Sequence, residues 1–239
     1  MLFTDVSKWN SKIDWQKSVN HGVEGNYIKA TGCDYVDYEF KANSATCPLK
    51  YKGAYHYFDY RGLSGKKQAQ IFLDTAGGYG NLRGAIDLED NKGGGWPSLA
   101  SMYGNALKEA LQFVLEYNRL TGHLPVMYIS SYLTTLTDTW SRFTFRNFHE
   151  CPLWVAHYTD AKNPIVKGWK DYSLWQYTAN GDGYAYGNGV GAPRIDLNIV
   201  KNLNALLVPG TTPEDEIIDT TVTDEKKLNI LWNNHPELH

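Results

Sequence analysis

Eight short apolar segments, each with the length of a β-strand, recur along the chain and constrain its fold more than any other feature. Segments with a helical apolar stripe separate the first five or six of them, and mostly loops separate the others. Strands that alternate with helices form parallel sheets with right-handed crossovers. The predicted strands are 2–6, 25–30, 52–59, 82–90, 124–129, 153–158, 172–177 and 195–197. At this chain length we predict an α/β barrel closed on itself, not an open sheet.

The C-terminal segment differs in composition from the rest of the chain. Residues 209–239 carry seven acidic residues and two lysines, within a whole-chain net charge of −3. We predict a domain over 1–208, an acidic linker rich in Pro, Gly and Thr over 209–223, and a short helix within 224–239. For that helix two interpretations stay open, a frayed tail or a segment for docking or self-association, because about ten residues rarely hold a helix alone.

Charge and hydropathy exclude some classes of function. The part of the chain before the tail is close to neutral and has no basic run, which argues against nucleic-acid binding. No apolar stretch approaches the length of a membrane span, so we expect no membrane insertion. The N-terminal segment MLFTDVSKW lacks the basic and apolar regions of a signal peptide, so we expect synthesis in the cytoplasm.

Cysteines, histidines and glycines do not form the usual ligand motifs. Cys33, Cys47 and Cys151 include no CxxC pair; a Cys33–Cys47 disulfide is one alternative, and three reduced thiols are our expectation. The histidines lack metal-ligand spacing, so we predict neither a metal nor a cofactor. The GGG run at 93–95 lacks the Lys and Ser/Thr of a phosphate-binding loop, and no GxSxG motif of a serine hydrolase is present.

Four acidic residues fall at the predicted C-terminal ends of strands: Asp5, Asp87, Glu89 and Asp196. Asp87 and Glu89 are two apart on a buried strand, so they point to the same side, about 6–7 Å apart along the backbone. Pairing with Lys or Arg, or a location in solvent, would be the ordinary explanation, because unpaired buried charge is costly. However, chemistry in such barrels takes place at the C-terminal strand ends. The coincidence of four acids there favours acid/base chemistry.

An ordered set of short motifs then supports a resemblance. The motifs are DVSKWN, YIKATG, GAYHYF, IDLE, LWVAHY, LWQYT and RIDLN. In this order they resemble the glycoside hydrolase family 25 lysozymes, the N-acetylmuramidases found in many phage endolysins, over about residues 3–207. The resemblance implies an irregular TIM-like barrel, with five β/α units followed by three β-strands, and leaves the short C-terminal tail outside. Many members have ATEG where this chain has ATGCDY, which we interpret as a change of the barrel rim.

The resemblance also implies an activity, the hydrolysis of the β-1,4 bond between N-acetylmuramic acid and N-acetylglucosamine in bacterial peptidoglycan. The family's acidic positions fall on the four residues above, and its general acid falls on Glu89. Such a bond breaks through an oxocarbenium-like transition state that needs a proton and nearby negative charge. Repulsion between carboxylates would keep the proton on Glu89. An endolysin that lyses the cell wall after release through a holin fits the missing signal peptide.

Other residues are candidates for binding the substrate, and other functions stay open. Tyr57, Tyr128 and Trp175 lie late in predicted strands and are candidates for lining the groove, with packing in the core as the equal alternative. Lys29 ends the second strand, where it could pair with Asp5, contact a sugar or form a structural salt bridge. The alternatives to a muramidase are a non-catalytic peptidoglycan- or glycan-binding barrel and a chitinase-like glycan hydrolase.

Overall fold

The computed structural model describes residues 1–90, 103–144, 148–161 and 163–211. Its strands are β1 (Leu2–Val6), β2 (Val23–Gly32), β3 (Tyr35–Val36), β4 (Tyr51–Tyr57), β5 (Ala85–Leu88), β6 (Val126–Ser130), β7 (Leu153–Ala156), β8 (Leu174–Asp182) and β9 (Arg194–Val200). Its α-helices are α1 (Trp15–Asn20), α2 (Phe40–Thr46), α3 (Gly65–Ala76), α4 (Tyr103–Thr121), α5 (Ser131–Thr144) and α6 (Leu203–Leu206). The glycine run at 93–95, nearly all of the predicted linker and the predicted terminal helix lie outside the described residues.

Eight of these strands close into a barrel. Their order around the barrel is β1-β9-β8-β7-β6-β5-β4-β2, and β1 pairs again with β2. The neighbours from β1 through β2 and β4 to β8 are parallel, whereas β9 runs antiparallel to both β8 and β1. Helices α1 to α5 follow β1, β2, β4, β5 and β6, so five β/α units precede the last three barrel strands. The predicted irregular TIM-like barrel is therefore confirmed.

The alternation of side chains along each strand divides the core into two parts. Large side chains that face the barrel interior include Phe3, Tyr27 and Trp154, and they pack against one another below the C-terminal rim. Side chains one position away, such as Ile28 and Ile86, pack between the barrel and its helices. The interior below the rim is thus filled mainly with apolar and aromatic groups.

The sequence of residues 35–49 predicts a single helix that ends near Pro48, but the structure divides this segment into two elements. Tyr35–Val36 form β3, which pairs with the end of β2, and α2 covers only Phe40–Thr46. Between them, the carboxylate of Asp37 is 1% exposed and accepts a hydrogen bond from the backbone N–H of Lys8 at 3.1 Å. This long-range contact holds the chain in a turn where local periodicity favours a helix.

The described helices and cysteines bear on two further expectations. None of the described helices combines the length and the apolar character that crossing a membrane requires. The three cysteines carry free thiols: Cys33 is half-buried, and Cys47 and Cys151 are buried.

Candidate active site

Four carboxyl groups meet in one small pocket at the C-terminal ends of the parallel strands. Asp5 lies near the end of β1, Asp87 lies in β5, Glu89 follows β5 directly, and Asp196 on β9 is the register partner of Asp5. The pocket has a volume of about 70 Å³ and is lined by Asp5, Tyr55, Asp87, Glu89, Tyr128, Trp154, Gln176 and Asp196. It contains all four acidic residues that the sequence predicts. A pocket of this size suits the atoms of one reacting bond, so a polymer would lie across its mouth.

Amide side chains fix the carboxylate of Asp5, which is 6% exposed. Its Oδ2 atom accepts hydrogen bonds from Gln176 Nε2 at 3.0 Å and from Asn198 Nδ2 at 2.8 Å. The Oε1 atom of Gln176 accepts in turn from the hydroxyls of Tyr128 at 2.9 Å and Tyr158 at 2.7 Å. Because two hydroxyls hold the carbonyl side of Gln176, its N–H side points at Asp5.

The indole of Trp154 forms the floor of the pocket. Its Nε1 donates a hydrogen bond to Asn198 Oδ1 at 2.7 Å, so it orients a residue that contacts Asp5. The ring stacks on Tyr27 with 4.9 Å between centroids and meets Tyr128 edge-on at 4.8 Å. A buried floor of packed rings keeps the carboxyl groups above it in fixed positions and out of bulk water.

Burial is the main electrostatic influence on Asp87 and Glu89. It raises the pKa of Asp87 well above its usual range, repulsion from Glu89 adds to the effect, and the charge of Lys29 opposes it. Burial also raises the pKa of Glu89; Lys29 again opposes, and Asp5 adds to the increase. The direction predicted for Glu89 agrees with the structure, but burial contributes more than the neighbouring carboxylates.

Asp5 and Asp196 form a hydrogen-bonded pair of carboxyl groups. Burial, the charge of Asp5 and the hydrogen bond to Asp5 raise the pKa of Asp196 to about 9. Burial also raises the pKa of Asp5, and hydrogen bonds from Asn198, Gln176 and Asp196 oppose that increase. Because these donors converge on Asp5, they favour its ionised form, whereas the shared proton is favoured on Asp196, which donates it to Asp5.

One oxygen in the pocket lacks a hydrogen-bond partner. Asp87 is 7% exposed, and its Oδ1 atom accepts no hydrogen bond from the described residues. Leaving such a group unsatisfied costs about 1–3 kcal/mol, which a ligand's N–H or O–H could recover. The oxygen therefore marks a position where a substrate donor can bind.

The four residues predicted to bind substrate have different locations. Tyr128 lines the pocket. Tyr57 lies on β4 beside it, half-buried, with the Nζ atom of Lys29 at 4.3 Å from its ring centroid. Lys29 is 7% exposed and has no ion-pair partner within 4.0 Å in the described parts of the chain, so it does not pair with Asp5. Its charge acts on the carboxyl groups through space.

The prediction that Trp175 lines the groove is wrong. Its side chain is 0% exposed and packs among the residues between barrel and helices, where its Nε1 donates to the backbone oxygen of His157 at 2.8 Å. Leu174 and Gln176, its neighbours on β8, face the barrel interior. Since successive side chains of a strand point to opposite faces, Trp175 must point outwards.

Sequence reasoning missed several polar and aromatic residues of the site. They are Tyr55, Trp154, Gln176 and Asn198. The period-2 alternation would have found two of them, because Asn198 lies two positions after Asp196 and Tyr55 lies two before the candidate Tyr57. Gln176 and Trp154 carry no such local signal, since no predicted site residue lies on the same face of the strand that carries either of them.

The comparisons with known proteins agree with this geometry. The family model described as "Glycosyl hydrolases family 25" matches residues 4–184. The chain belongs to this family. The match stops before Asp196, which the family 25 barrel nevertheless places beside Asp5 through the antiparallel pairing of β9 with β1.

Relatives of this family 25 chain include a protein named as a lysozyme and solved structures of a lysozyme and a muramidase. Lysozyme M1 from Streptomyces globisporus is 30% identical over 189 residues, which cover 74% of this chain and 61% of the relative, so the chain spans about three fifths of that protein. A lysozyme structure from Streptomyces coelicolor has a TM-score of 0.69 and 28% identity, covering 86% of this chain and 94% of that one. A muramidase structure from Acremonium alcalophilum has a TM-score of 0.65 and 28% identity, covering 84% and 93%.

The donor set of the family 25 site suits acid/base chemistry. No group of three His, Cys, Asp or Glu that could hold a metal ion occurs in the ranges that the structure describes. The pocket offers carboxyl groups whose raised pKa values favour the protonated form, one carboxylate held by amides, and one carboxyl oxygen available to a ligand.

Proposed function

We propose that this chain is a muramidase that hydrolyses the β-1,4 bond between N-acetylmuramic acid and N-acetylglucosamine in bacterial peptidoglycan. The observation that carries the proposal is the pocket in which four carboxyl groups, all with raised pKa values, lie together at the strand ends. The names of Lysozyme M1 and of the Acremonium muramidase support this substrate class.

Glu89 is the proposed general acid. It is half-buried at the mouth of the pocket, and burial raises its pKa, which favours the protonated form that a general acid needs. As the glycosidic bond breaks, this proton passes to the leaving oxygen, and the resulting carboxylate later takes a proton from the water that completes hydrolysis. Asp5, fixed by its amide donors, supplies negative charge for the positive charge that develops at the anomeric carbon.

Asp87 is proposed to orient the 2-acetamido group of the substrate. Its unpaired Oδ1 atom can accept a hydrogen bond from the acetamido N–H, which leaves the acetamido oxygen directed at the anomeric carbon. As the bond from the anomeric carbon to the leaving oxygen breaks, the acetamido oxygen forms a bond to that carbon. Water then attacks the anomeric carbon, and the bond to the acetamido oxygen breaks. Asp196, which donates to Asp5, sets the charge of the pair and does not touch the reacting atoms.

The decisive experiment compares Glu89→Gln with Glu24→Gln, a control on an exposed glutamate near the start of β2. Both proteins are assayed for reducing ends released from peptidoglycan and from chitin. We expect Glu89→Gln to lose about 10²–10⁴-fold in rate and the control to keep wild-type activity. Wild-type protein that binds peptidoglycan without releasing reducing ends would be a binding barrel, and a preference for chitin would make it a chitinase-like hydrolase.

We also propose that the protein acts as a phage or prophage endolysin, made in the host cytoplasm and reaching the wall after holin-mediated release. The motif order resembles a lysozyme family that is found in many phage endolysins, and this supports the role. Expression in a bacterium with a sensitive wall, with and without a co-expressed holin, tests it. Lysis that occurs equally fast without the holin would refute the route of release.

A further inference from the structure

Exposed aromatic rings surround a lysine beside the candidate active site. Lys8 follows β1, and its Nζ atom lies 5.3 Å from the ring centroid of Trp9, 5.1 Å from that of Tyr35 and 5.9 Å from that of Tyr38. Trp9 is 77% exposed and Tyr38 is 72% exposed, although large aromatic side chains are usually buried in a core or at an interface. These four residues are called the Lys8 platform below.

The Lys8 platform is continuous with the carboxyl pocket. Its residues follow β1 and β2 at the strand ends where the carboxyl groups lie. The ring of Tyr35 is shared, because the Nζ atom of Lys29 lies 5.7 Å from its centroid on the side of the pocket. The charge of Lys29 opposes the increase in the pKa values of Asp87 and Glu89, so this lysine lies near enough to the pocket to act on its carboxyl groups through space. A polymer bound across the pocket could therefore extend onto the platform.

The ammonium group of Lys8 is available to an anion. Within the described ranges no carboxylate lies within 4.0 Å of it. The nearby Asp37 is 1% exposed, and its oxygens accept backbone N–H groups of Lys8 and Glu39. The aromatic rings attract the ammonium without neutralising it and remove part of its water, which strengthens a later ion pair.

We propose that the Lys8 platform binds the acidic peptide stem carried by a muramoyl residue next to the cleaved bond. The proposal rests on the proposed muramidase function. The amino sugars of the glycan backbone offer no free carboxylate when the lactyl group is joined to peptide, whereas the stem carries carboxylates. Lys8 pairs with one of these carboxylates, and the open faces of Trp9 and Tyr38 pack against the adjoining apolar atoms of the stem.

The test measures binding in the Glu89→Gln protein, so that turnover cannot consume the probe. The probes are a purified soluble glycan fragment that bears its peptide stems and the same fragment after the stems have been removed and the lactyl carboxyl groups thereby exposed have been amidated. Lys8→Met removes the charge and keeps the apolar stem of the side chain, and Lys8→Arg keeps the charge. Lys50→Met is the matched control, because Lys50 also lies over a tyrosine ring, that of Tyr51, but at the start of β4, the opposite end of the barrel.

We expect Lys8→Met to weaken binding of the stem-bearing fragment about three- to fivefold, as for a partly exposed ion pair, and to leave the stripped fragment unaffected. Lys8→Arg should bind both fragments like the parent protein, and high salt should remove the difference. Equal losses on both fragments, or no loss on either, would overturn the proposal. Failure of the wild-type protein to release reducing ends from either fragment would refute the muramidase function instead, without changing how the binding result is interpreted.

Discussion

Gln176→Met should separate the role of the amide network from that of the carboxyl groups. Methionine keeps the length and approximate volume of glutamine but removes the N–H that Gln176 donates to Asp5 Oδ2 at 3.0 Å. It also removes the acceptor of the Tyr128 and Tyr158 hydroxyls. Asp5 is 6% exposed, so water cannot replace the lost donor.

A hydrogen bond to a charged group contributes about 1.5–3 kcal/mol. Asn198 and Asp196 still donate to Asp5, which places the expected loss at the lower end, about tenfold in kcat/KM. The same loss raises the pKa of Asp5 further, because the missing donor favoured the ionised form. The acidic limb of the rate profile should therefore move to higher pH, since Asp5 must be ionised to act.

The assay is the release of reducing ends from peptidoglycan over a range of pH, with Gln16→Met, on the exposed face of α1, as the control. Thermal unfolding of each variant shows whether a folded fraction was lost. An acidic limb that stays in place while kcat/KM falls would mean that Gln176 serves only packing, and the reasoning about Asp5 would be wrong.

Four further predictions concern the protonation of Glu89 and of Asp196, the packing of Trp175 and the tail. The rate should fall on the alkaline side as pH rises through the raised pKa of Glu89, and a rate that still increases at about pH 9 would show that no protonated carboxyl is needed. The pKa of Asp196 is about 9 in the folded protein and about 3.9 in the unfolded chain, so its contribution to stability falls as pH rises between these values. Asp196→Asn should therefore make the decrease in Tm between about pH 5 and pH 8 less steep. Thermal melts at several pH values check this. Trp175→Ala should lower the free energy of unfolding by about 3–5 kcal/mol, measured by urea denaturation, with KM for peptidoglycan unchanged in the folded fraction. Truncation after Thr211 should leave a soluble domain that cleaves soluble glycan fragments, and light scattering of the full-length and truncated proteins tests whether 212–239 mediates self-association; an insoluble or inactive product would place the tail within the catalytic fold.

The sequence by itself determined the barrel and the group of acids. Strand segments and helical stripes are local patterns, and their alternation fixes the parallel order of the first strands. Asp5, Asp87 and Glu89 could be placed together because the C-terminal ends of parallel strands meet at one rim. For Asp196 this reasoning is wrong, since β9 runs antiparallel and carries its acid near its start; the pairing of Asp196 with Asp5 on β1 brings it to the same rim.

Only the tertiary structure decided which aromatic and amide groups complete the site. Trp175 and Gln176 are adjacent on β8, so one of them faces the barrel interior and the other faces the helices. Because a shift of one residue in the pairing register exchanges these two faces, only the register shows which residue enters the site. The turn at Asp37 likewise depends on its contact with Lys8, which lies far away in sequence. The raised pKa values of the carboxyl groups also depend on the tertiary structure. The sequence indicates that these groups lie near one another, but the burial that raises their pKa values arises only when all eight strands close around them.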